Sequence, residues 1–326
     1  MKVSIALATF NGSAFIETQI KSLLDQTSPP DEIVVCDDRS EDGTADRVRT
    51  MLTNTQIEHA VVINGFRKGY TRNFSGALEK CTGDLVFPCD QDDYWYPQKI
   101  SRMLAVAEQH PDADVFLHDA DLSDQDLQLR DRTKLQQIDR IGMGRDAFFM
   151  GCCTAIRRRF LDRILPIPDG YSEHDRWIIT IARNLGRCRM TEESLIIHRR
   201  HGGNQSGHPA NRTALLPGLN YLHHRVSRTL APGFRHGLES RARDIELELA
   251  WLMRSVEDSA EAVADAEVIH DYRNRLQARL VATRERYKAL QNPRSRRAGM
   301  IWRMLRAGHY RHFSGLKSAL RDLTTN

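Results

Sequence analysis

The residues with the clearest chemical potential are three carboxylates that lie within four positions, Asp90, Asp92 and Asp93. They follow the apolar run 85–87, which predicts a short buried strand, so the acids lie where a strand ends in a loop. Ligands of open α/β sheets bind at the carboxyl ends of strands. Clustered carboxylates repel one another, and their oxygens suit Mg²⁺ or Mn²⁺ ions that bridge to substrate phosphates. The run therefore indicates a metal and diphosphate site, with a solvated acidic turn as the alternative.

Elements that would position these acids alternate along the first part of the chain. Apolar runs predict strands at 3–8, 32–36, 57–63, 85–87 and 115–117. Because segments with helical spacing separate them, we expect parallel pairing through right-handed crossovers, as in a doubly wound α/β fold. Residues 119–150 are polar and irregular, and we expect them to form loops over the site. A short strand at 195–198 then leads into a Gly- and His-rich loop at 199–209.

Several classes of protein are disfavoured by what the sequence lacks. No GxGxxG follows the first strand and no P-loop is present, which argues against a dinucleotide cofactor and against a kinase. No apolar run approaches the length of a membrane-spanning helix. The N-terminal run is too short for the apolar core of a signal peptide, so we interpret it as a strand. The six cysteines show no zinc spacing, and we expect reduced thiols in a cytoplasmic protein.

The C-terminal third differs from the rest in charge and in periodicity. Residues 221–326 hold 20 Lys and Arg against 12 Asp and Glu, so this part is basic although the whole chain carries only +4. Apolar residues at helical spacing from about Leu238 predict a helical hairpin that ends at Pro293. This region could be an accessory domain, a dimerisation hairpin, a membrane-surface patch or a solvated basic face. Nucleic-acid binding is disfavoured because no recognised module accompanies the charge.

Several motifs together resemble the family 2 glycosyltransferases of the GT-A fold. They are Thr9-Phe10-Asn11-Gly12 after the first strand, Asp37-Asp38 after the second, Asp90-Gln91-Asp92-Asp93 after the fourth, and His174-Asp175-Arg176-Trp177. Residues 198–204 resemble a loop of the family's bacterial rhamnosyltransferase-like members. The resemblance implies a Rossmann-like mixed sheet flanked by helices in a domain of residues 1–215. A basic helical extension would occupy residues 216–326.

The resemblance also implies which residues bind the nucleotide-sugar donor. The set is Thr9, Asn11, Asp37, Asp38, Arg72, Asn73, Asp90, Gln91 and Trp95. A carboxylate at Asp38 or Asp37 can accept the imide N–H of uracil or thymine, and one sequence does not fix which of them faces inward. Either could instead cap the following helix. Trp95 would stack on a sugar face or pack the loop.

Metal and catalytic roles follow from the same resemblance. Asp92 is expected to be the direct metal ligand, and Asp90 to contact ribose or metal-bound water. His201 is expected to bind either the metal or the diphosphate, and its imidazole suits Mn²⁺ better than Mg²⁺. Asp175 is expected to be the base that removes the proton of the acceptor hydroxyl. Glu173 is a competing base, and Asp175 could instead cap its helix.

The sequence thus predicts an enzyme, a metal-dependent inverting glycosyltransferase that uses Mn²⁺ or Mg²⁺. Its donor would be a dTDP-, UDP- or GDP-sugar, with a deoxyhexose such as L-rhamnose as the transferred group. Its acceptor would be a saccharide or lipid-linked saccharide of bacterial surface polysaccharide synthesis. The basic C-terminal region would allow contact with the inner face of the membrane, or a homodimer. The alternatives are a non-catalytic nucleotide-sugar-binding scaffold and a pyrophosphorylase, which should show a Gly-rich basic loop after the first strand.

Overall fold

The strands of the protein supply the framework of the site. A computed structural model describes residues 1–202, 234–257 and 266–324. The described strands are β1 Val3–Thr9, β2 Glu32–Asp37, β3 Glu58–Ile63, β4 Leu85–Cys89, β5 Tyr94–Trp95, β6 Val115–Ser123, β7 Leu129–Thr133, β8 Thr154–Arg157 and β9 Cys188–Arg199. The helices among them are α1 Ile16–Leu24, α2 Thr44–Leu52, α3 Tyr70–Lys80, α4 Lys99–Gln109, α5 Lys134–Arg140, α6 Arg158–Ile164 and α7 His174–Asn184.

The first half of the sheet is parallel, in the order β3-β2-β1-β4. Helices α1, α2 and α3 connect successive strands, as expected for right-handed crossovers. Every residue of β1, β2 and β4 is buried, because helices cover both faces of a parallel sheet and apolar strands can run through it. The carboxyl ends of β1, β2 and β4 therefore meet at one edge, and the polar residues that follow each strand are neighbours.

The second half of the sheet is mixed, as the family resemblance implied, and the strand expected at 115–117 is the start of β6. Strand β8 lies between β4 and β6 and is antiparallel to both. Strand β6 therefore does not extend the parallel ladder directly. Periodicity alone could not predict this order, because it identifies strands but not their partners.

Residues 119–150 were expected to be loops, and this expectation is wrong for much of the segment. The segment contains the second half of β6, then β7 and α5, which begins at a capping box formed by Thr133 and Gln136. The end of β6 looks like a loop in sequence because its residues are polar, yet they are buried and bonded. Asp119, for example, accepts hydrogen bonds from the backbone N–H groups of Ala120 and Leu135.

Strand β9 is longer than the predicted 195–198 strand and carries the chain back to the acidic run. It is parallel to β6 and pairs with β5 in antiparallel register, with Tyr94 opposite Ile197. Residues just after β9 therefore lie beside the end of the acidic run. Residues 203–209 of the predicted loop lie outside the described part of the chain.

The described chain divides into two compact units. The first holds residues 1–169 and 173–202, and the second holds residues 170–172, 234–257 and 266–324. Apart from residues 170–172, the second unit consists of α8 Phe234–Glu257, α9 Ala266–Gln291, α10 Arg294–Arg306, a 3₁₀ turn at His309–His312 and α11 Leu316–Thr324. Within the described ranges, no helix has the length and apolar character needed to span a membrane.

The core of the second unit combines an apolar cluster with a buried ion pair. Ile301, Met304 and Tyr310 pack in the cluster. Beside it, the Arg286 guanidinium donates two hydrogen bonds of 2.7 and 2.8 Å to the Asp322 carboxylate. Both side chains are almost wholly buried, so each charge depends on the other to offset the cost of desolvation.

Candidate active site

A cleft of about 820 Å³ opens in the first unit at the carboxyl ends of β1, β2 and β4. The sequence-predicted residues that line it are Thr9, Asn11, Asp38, Asn73, Asp90, Gln91, Asp92, Asp175 and His201. Asp37, Arg72 and Trp95 are not among its lining residues. The cleft therefore brings together nine of the twelve candidate positions, from segments nearly two hundred residues apart in the chain.

Asp38 forms one wall of the cleft and is fixed by three donors. Its Oδ1 accepts from the Lys68 N–H at 2.7 Å and from Asn64 Nδ2 at 3.0 Å, and its Oδ2 accepts from the Gly69 N–H at 2.8 Å. Gly69 adopts a φ of 84°, which favours glycine. A carboxylate offers about four acceptor positions, so Asp38 is held rigidly and can accept one further bond from a ligand.

Asp37 turns away from the cleft and fastens the loop behind it. It is fully buried. Its carboxylate accepts from Thr9 Oγ1 at 2.7 Å, the Ser40 N–H at 2.7 Å and Ser40 Oγ at 2.6 Å. The two adjacent carboxylates thus have separate positions, which sequence could not distinguish: Asp38 faces the cleft and Asp37 faces the loop.

Asn73 and Arg72 also separate. Asn73 Nδ2 donates to Cys36 O at 2.8 Å and to Thr9 O at 3.3 Å, which ties the first turn of α3 to the ends of β1 and β2. Arg72, its neighbour, points to the surface and forms an ion pair with Asp169. In this structure only Asn73 lies at the cleft.

Gln91 connects the acidic run to the end of β1. Its Oε1 accepts from the Phe10 N–H at 2.8 Å and its Nε2 donates to Phe10 O at 3.0 Å. The side-chain amide thus satisfies both backbone polar groups of Phe10. A Cβ on Gly12 would lie 2.2 Å from Gln91 Oε1. The glycine of this motif is therefore explained by packing against Gln91.

The acidic side of the cleft is formed by Asp90, Asp92 and His201. Nε2 of His201 lies 2.7 Å from Oδ2 of Asp92, and its ring stacks on Phe15 at 4.3 Å between centroids. Burial, followed by the negative charge of Asp92, raises the pKa of Asp90 to about 7. Burial is the larger cause of this pKa shift and repulsion from Asp92 the next, while Cys152 and Lys99 act in the other direction.

A divalent cation fits this donor set. Ligand atoms of Asp90, Asp93 and Cys152 lie within 4.8 Å of one another. Oδ1 of Asp93 accepts from the Arg199 N–H at 3.1 Å, whereas its buried Oδ2 has no partner among the described residues. The two carboxylates of this group offer hard oxygens that suit Mg²⁺ or Mn²⁺, whereas the Cys152 thiol is a softer ligand. Of the three predicted metal ligands, Asp90 belongs to this group. Asp92 and His201 do not; they pair with each other on the cleft side.

Trp95 lies beneath the site and is wholly buried. The ammonium of Lys99 lies 3.5 Å from the centroid of its ring and donates to Cys152 O at 2.6 Å. Burial lowers the pKa of Lys99, and the nearby Asp93 charge opposes that shift. Trp95 thus packs the floor under the acidic loop in this structure.

Asp175, the predicted base, lies in the first turn of α7. Its Oδ1 accepts from the Arg176 N–H at 2.7 Å. Burial raises the pKa of Asp175, and hydrogen bonding and the charge of Arg176 act in the other direction. Glu173, the competing base, engages Arg176 Nε at 2.9 Å. Both carboxylates line the cleft, and Glu173 has a charged partner beside it.

Two further cleft residues, His174 and Phe15, are not among the predicted site residues. The His174 ring stacks on Phe74 at 3.9 Å, and both ring nitrogens are buried without partners in the described part of the chain. A Cβ on Gly151 would lie 2.5 Å from His174 Nε2. Burial lowers the pKa of His174 to about 3, so the ring is neutral. Phe15 stacks on His201. Its sequence context predicts only an apolar residue of a helix, so this contact could not be foreseen.

Comparison with known proteins identifies relatives in sequence. Residues 4–165 match the family model described as Glycosyl transferase family 2. An uncharacterized glycosyltransferase of Nostoc sp. is 28% identical over 225 residues, which cover 66% of this chain and 69% of that protein. The Escherichia coli UDP-Glc:alpha-D-GlcNAc-diphosphoundecaprenol beta-1,3-glucosyltransferase WfaP is 33% identical over 106 residues. That match covers 32% of this chain and only 41% of WfaP.

Solved structures share the architecture. S. aureus TarS residues 1–349, in complex with UDP, superimposes with a TM-score of 0.58 at 16% identity, covering 99% of this chain and 90% of that one. A mannosyltransferase from Pyrobaculum calidifontis, in complex with GDP-Man and Mn²⁺, gives a TM-score of 0.50 at 18% identity, with coverages of 86% and 85%. At these identities the likeness shows the fold alone.

Proposed function

Because the chain belongs to glycosyl transferase family 2 and has the GT-A fold, we propose that it is a metal-dependent inverting glycosyltransferase. It moves a sugar from a nucleoside diphosphate to a hydroxyl of a saccharide acceptor. The observation that carries this proposal is one cleft lined by the Asp92–His201 pair, by Asp38 and by Asp175. These groups match three separate needs: a phosphate-side cation site, an acceptor for a base N–H, and a proton acceptor.

Asp175 performs the proton transfer. It accepts the proton of the acceptor hydroxyl as that oxygen attacks the anomeric carbon of the sugar. The new glycosidic C–O bond forms while the bond from the anomeric carbon to the diphosphate oxygen breaks, and the bonding electrons leave with the nucleoside diphosphate. A single displacement inverts configuration and needs one base and no enzyme nucleophile. Burial raises the pKa of Asp175, which makes the ionised carboxylate a stronger proton acceptor.

The acidic wall controls the diphosphate. Asp92, Asp90 and His201 would hold a divalent ion, and bound Mn²⁺ or Mg²⁺ supplies Lewis-acid stabilisation of the charge that builds on the leaving group. Arg200 lines the same cleft and can pair with phosphate oxygens. Asp38 and Thr9 contact the nucleoside from the strand ends, and Asn73 holds that wall in register.

The donor and acceptor are proposed as classes. We propose a dTDP-, UDP- or GDP-sugar donor, used in the cytoplasm, and a saccharide or lipid-linked saccharide acceptor in bacterial surface polysaccharide synthesis. WfaP is named for transfer to a diphosphoundecaprenol-linked sugar, which supports this acceptor class. The likeness of residues 198–204 to the rhamnosyltransferase-like loop supports a deoxyhexose such as L-rhamnose as the transferred group.

A donor screen followed by a turnover assay tests the proposal. Thermal unfolding of the full chain is measured with UDP-, dTDP- and GDP-sugars, with Mn²⁺ or with EDTA. We expect one nucleotide class to raise Tm in Mn²⁺ only. With that donor and lipid-linked saccharides as acceptors, we expect release of the nucleoside diphosphate and a product of inverted anomeric configuration by NMR.

Two outcomes would contradict the proposal in different ways. If the protein binds a donor but turns it over with none of the acceptors tested, a non-catalytic nucleotide-sugar-binding protein is favoured. Turnover that is unchanged by EDTA and by Asp92→Ala would remove the metal role. Glu108→Ala changes an exposed acid on α4 and serves as the matched control, with donor binding and turnover expected at wild-type levels.

A further inference from the structure

Helix α11 in the second unit has its polarity reversed relative to an ordinary surface helix. Ser318, Ala319 and Asp322 are buried. Leu316, Leu320 and Leu323, spaced i, i+4 and i+7 on one face, are 68%, 62% and 36% exposed. An amphipathic helix normally turns its apolar stripe to the core. Here the apolar stripe faces outward.

Buried hydrogen bonds fix this orientation. Asp322 accepts two bonds from Arg286 and one of 2.8 Å from Tyr310 Oη. Arg297 donates to the backbone carbonyl of Asp322 at 3.1 Å. Rotating α11 to bury its leucines would separate Arg286 from the Asp322 carboxylate and leave a buried charge without it, which is strongly destabilising. The outward leucines are therefore a consequence of a stable internal network.

Helix α10 adds an exposed aromatic residue in a basic setting. Trp302 is 61% exposed, while Ile301 and Met304 on the other side of the helix belong to the apolar cluster. Arg303 and Arg306 flank it and are exposed. Trp and Arg or Lys side chains together are typical of proteins that contact the interface of a bilayer.

The positive charge of α10 and α11 favours an anionic partner for their exposed apolar side chains. From Arg294 to Arg321 the chain has eight Lys and Arg, of which Arg297 is buried, and no Asp or Glu. The next acid, Asp322, is used by Arg286. A second copy of the chain docked on the same residues would bring like charges together. An anionic surface would meet complementary charge, and each Lys or Arg near such a surface contributes about 1 kcal/mol.

We propose that α10 and α11 form a membrane-binding surface for anionic phospholipid, with Trp302, Leu316, Leu320 and Leu323 entering the interface and the surrounding cations contacting headgroups. This α10–α11 surface goes beyond the transfer reaction and does not depend on it. For an enzyme with a lipid-linked acceptor, such binding would raise the local concentration of substrate.

Vesicle binding of the full chain tests the α10–α11 surface. Co-sedimentation is measured with phosphatidylcholine vesicles and with vesicles containing phosphatidylglycerol, at low and high salt. We expect binding to the anionic vesicles only, weakened at least tenfold by high salt because screening shortens the reach of the charges. Tryptophan emission should shift to shorter wavelength on binding and should lose part of that shift in Trp302→Ser.

Variants separate the two components of the surface. Leu316→Ser with Leu320→Ser should weaken binding more than tenfold, since two side chains no longer enter the apolar region. Arg303→Gln with Lys317→Gln should weaken it about fivefold per charge. All four residues are exposed, so folding should be retained. Val281→Ser, at a 52% exposed position on α9, is the matched control and should bind as wild type.

Three results would overturn the proposal. They are absence of binding to anionic vesicles, equal binding to neutral and anionic vesicles, and equal binding by wild type and the paired variants. Light scattering adds a further distinction. If the wild-type chain is a dimer and the leucine variant a monomer, the surface is an interface between copies and the lipid proposal fails. None of these results would change the outcome of the donor turnover assay, so failure of the membrane proposal can be told apart from failure of the proposed function.

Discussion

Replacing Asp175 by Asn changes the proposed base while leaving its local structure in place. The amide oxygen of Asn can accept the same hydrogen bond that Oδ1 accepts from the Arg176 N–H at 2.7 Å. The first turn of α7 should therefore keep this hydrogen bond, and the volume of the side chain is nearly unchanged. The variant loses only the negative charge and the ability to take a proton.

In Asp175→Asn we expect the activity to fall while the thermal stability is kept or increased. General base catalysis contributes about 10²- to 10⁴-fold, so kcat should fall by that factor, equivalent to about 3 to 5 kcal/mol of transition-state stabilisation. Because burial raises the pKa of Asp175, the folded state disfavours the ionised form relative to the unfolded chain. Removing that charge should leave Tm at neutral pH unchanged or higher.

The pH dependence of the wild-type enzyme follows from the same shift. The active form of Asp175 is ionised, and its pKa in the folded protein lies above the ordinary value because of burial. Activity should be full above this raised pKa and should fall as pH decreases through it. We expect kcat to show this acid limb in the wild type, whereas residual turnover in Asp175→Asn should lack it.

Glu173→Gln is the matched control for the identity of the base. Glu173 also lines the cleft, but its Oε2 engages Arg176 Nε, so its charge already has a partner. We expect this variant to change kcat by less than tenfold and to keep the acid limb. If Glu173→Gln abolishes transfer while Asp175→Asn retains it, or if Asp175→Asn also loses donor binding, our assignment of the base is wrong.

Three further predictions concern other parts of the chain. Asp92→Ala should abolish the Mn²⁺-dependent part of donor affinity measured by calorimetry, and unchanged Mn²⁺ titration would exclude Asp92 as a ligand. Gly12→Ala places a Cβ 2.2 Å from Gln91 Oε1, so it should displace that side chain and weaken donor binding, with Tm falling only slightly; wild-type affinity would contradict this. Asp322→Ala leaves Arg286 buried without its carboxylate and should cost about 3 to 5 kcal/mol in chemical denaturation, and a loss under 1 kcal/mol would show that the pair is dispensable.

The parallel half of the fold and the residues at its strand ends could be predicted from sequence. Apolar runs bounded by polar residues define β1, β2 and β4, and the crossover rule then brings their carboxyl ends together. Thr9, Asp38 and Asp90, which follow these strands, accordingly line one cleft. The family and the GT-A fold are confirmed by the comparisons.

Orientation within a motif could not be predicted, because adjacent side chains in a loop have no fixed period. Asp37 and Asp38 are chemically equivalent in sequence, and only the donors around them decide which one faces the cleft. Arg72 and Trp95 illustrate the same limit. A surface carboxylate pairs with the first, and the second is covered by Lys99.

The full extent of β6 and β9 and the order of the strands in the second half of the sheet could not be predicted, for a different reason. The end of β6 is polar and resembles a loop, although its polar groups are satisfied by partners that lie far along the chain, such as Asp119 with the Leu135 N–H. Hydrogen bonds of this kind allow polar residues to be buried, and they leave no periodic signal.

The pairing of β5 with β9 has a consequence for the order in which the site is completed. The parallel strands form by short connections, whereas Asp92 and His201 are separated by 109 residues and meet only after β9 has docked. Contacts of large sequence separation are slow to form because loop closure comes first. A nascent or partly folded chain would therefore hold the acidic loop and the nucleotide wall before it holds the histidine. Metal affinity would report on the last stage of folding, and nucleotide affinity on an earlier one.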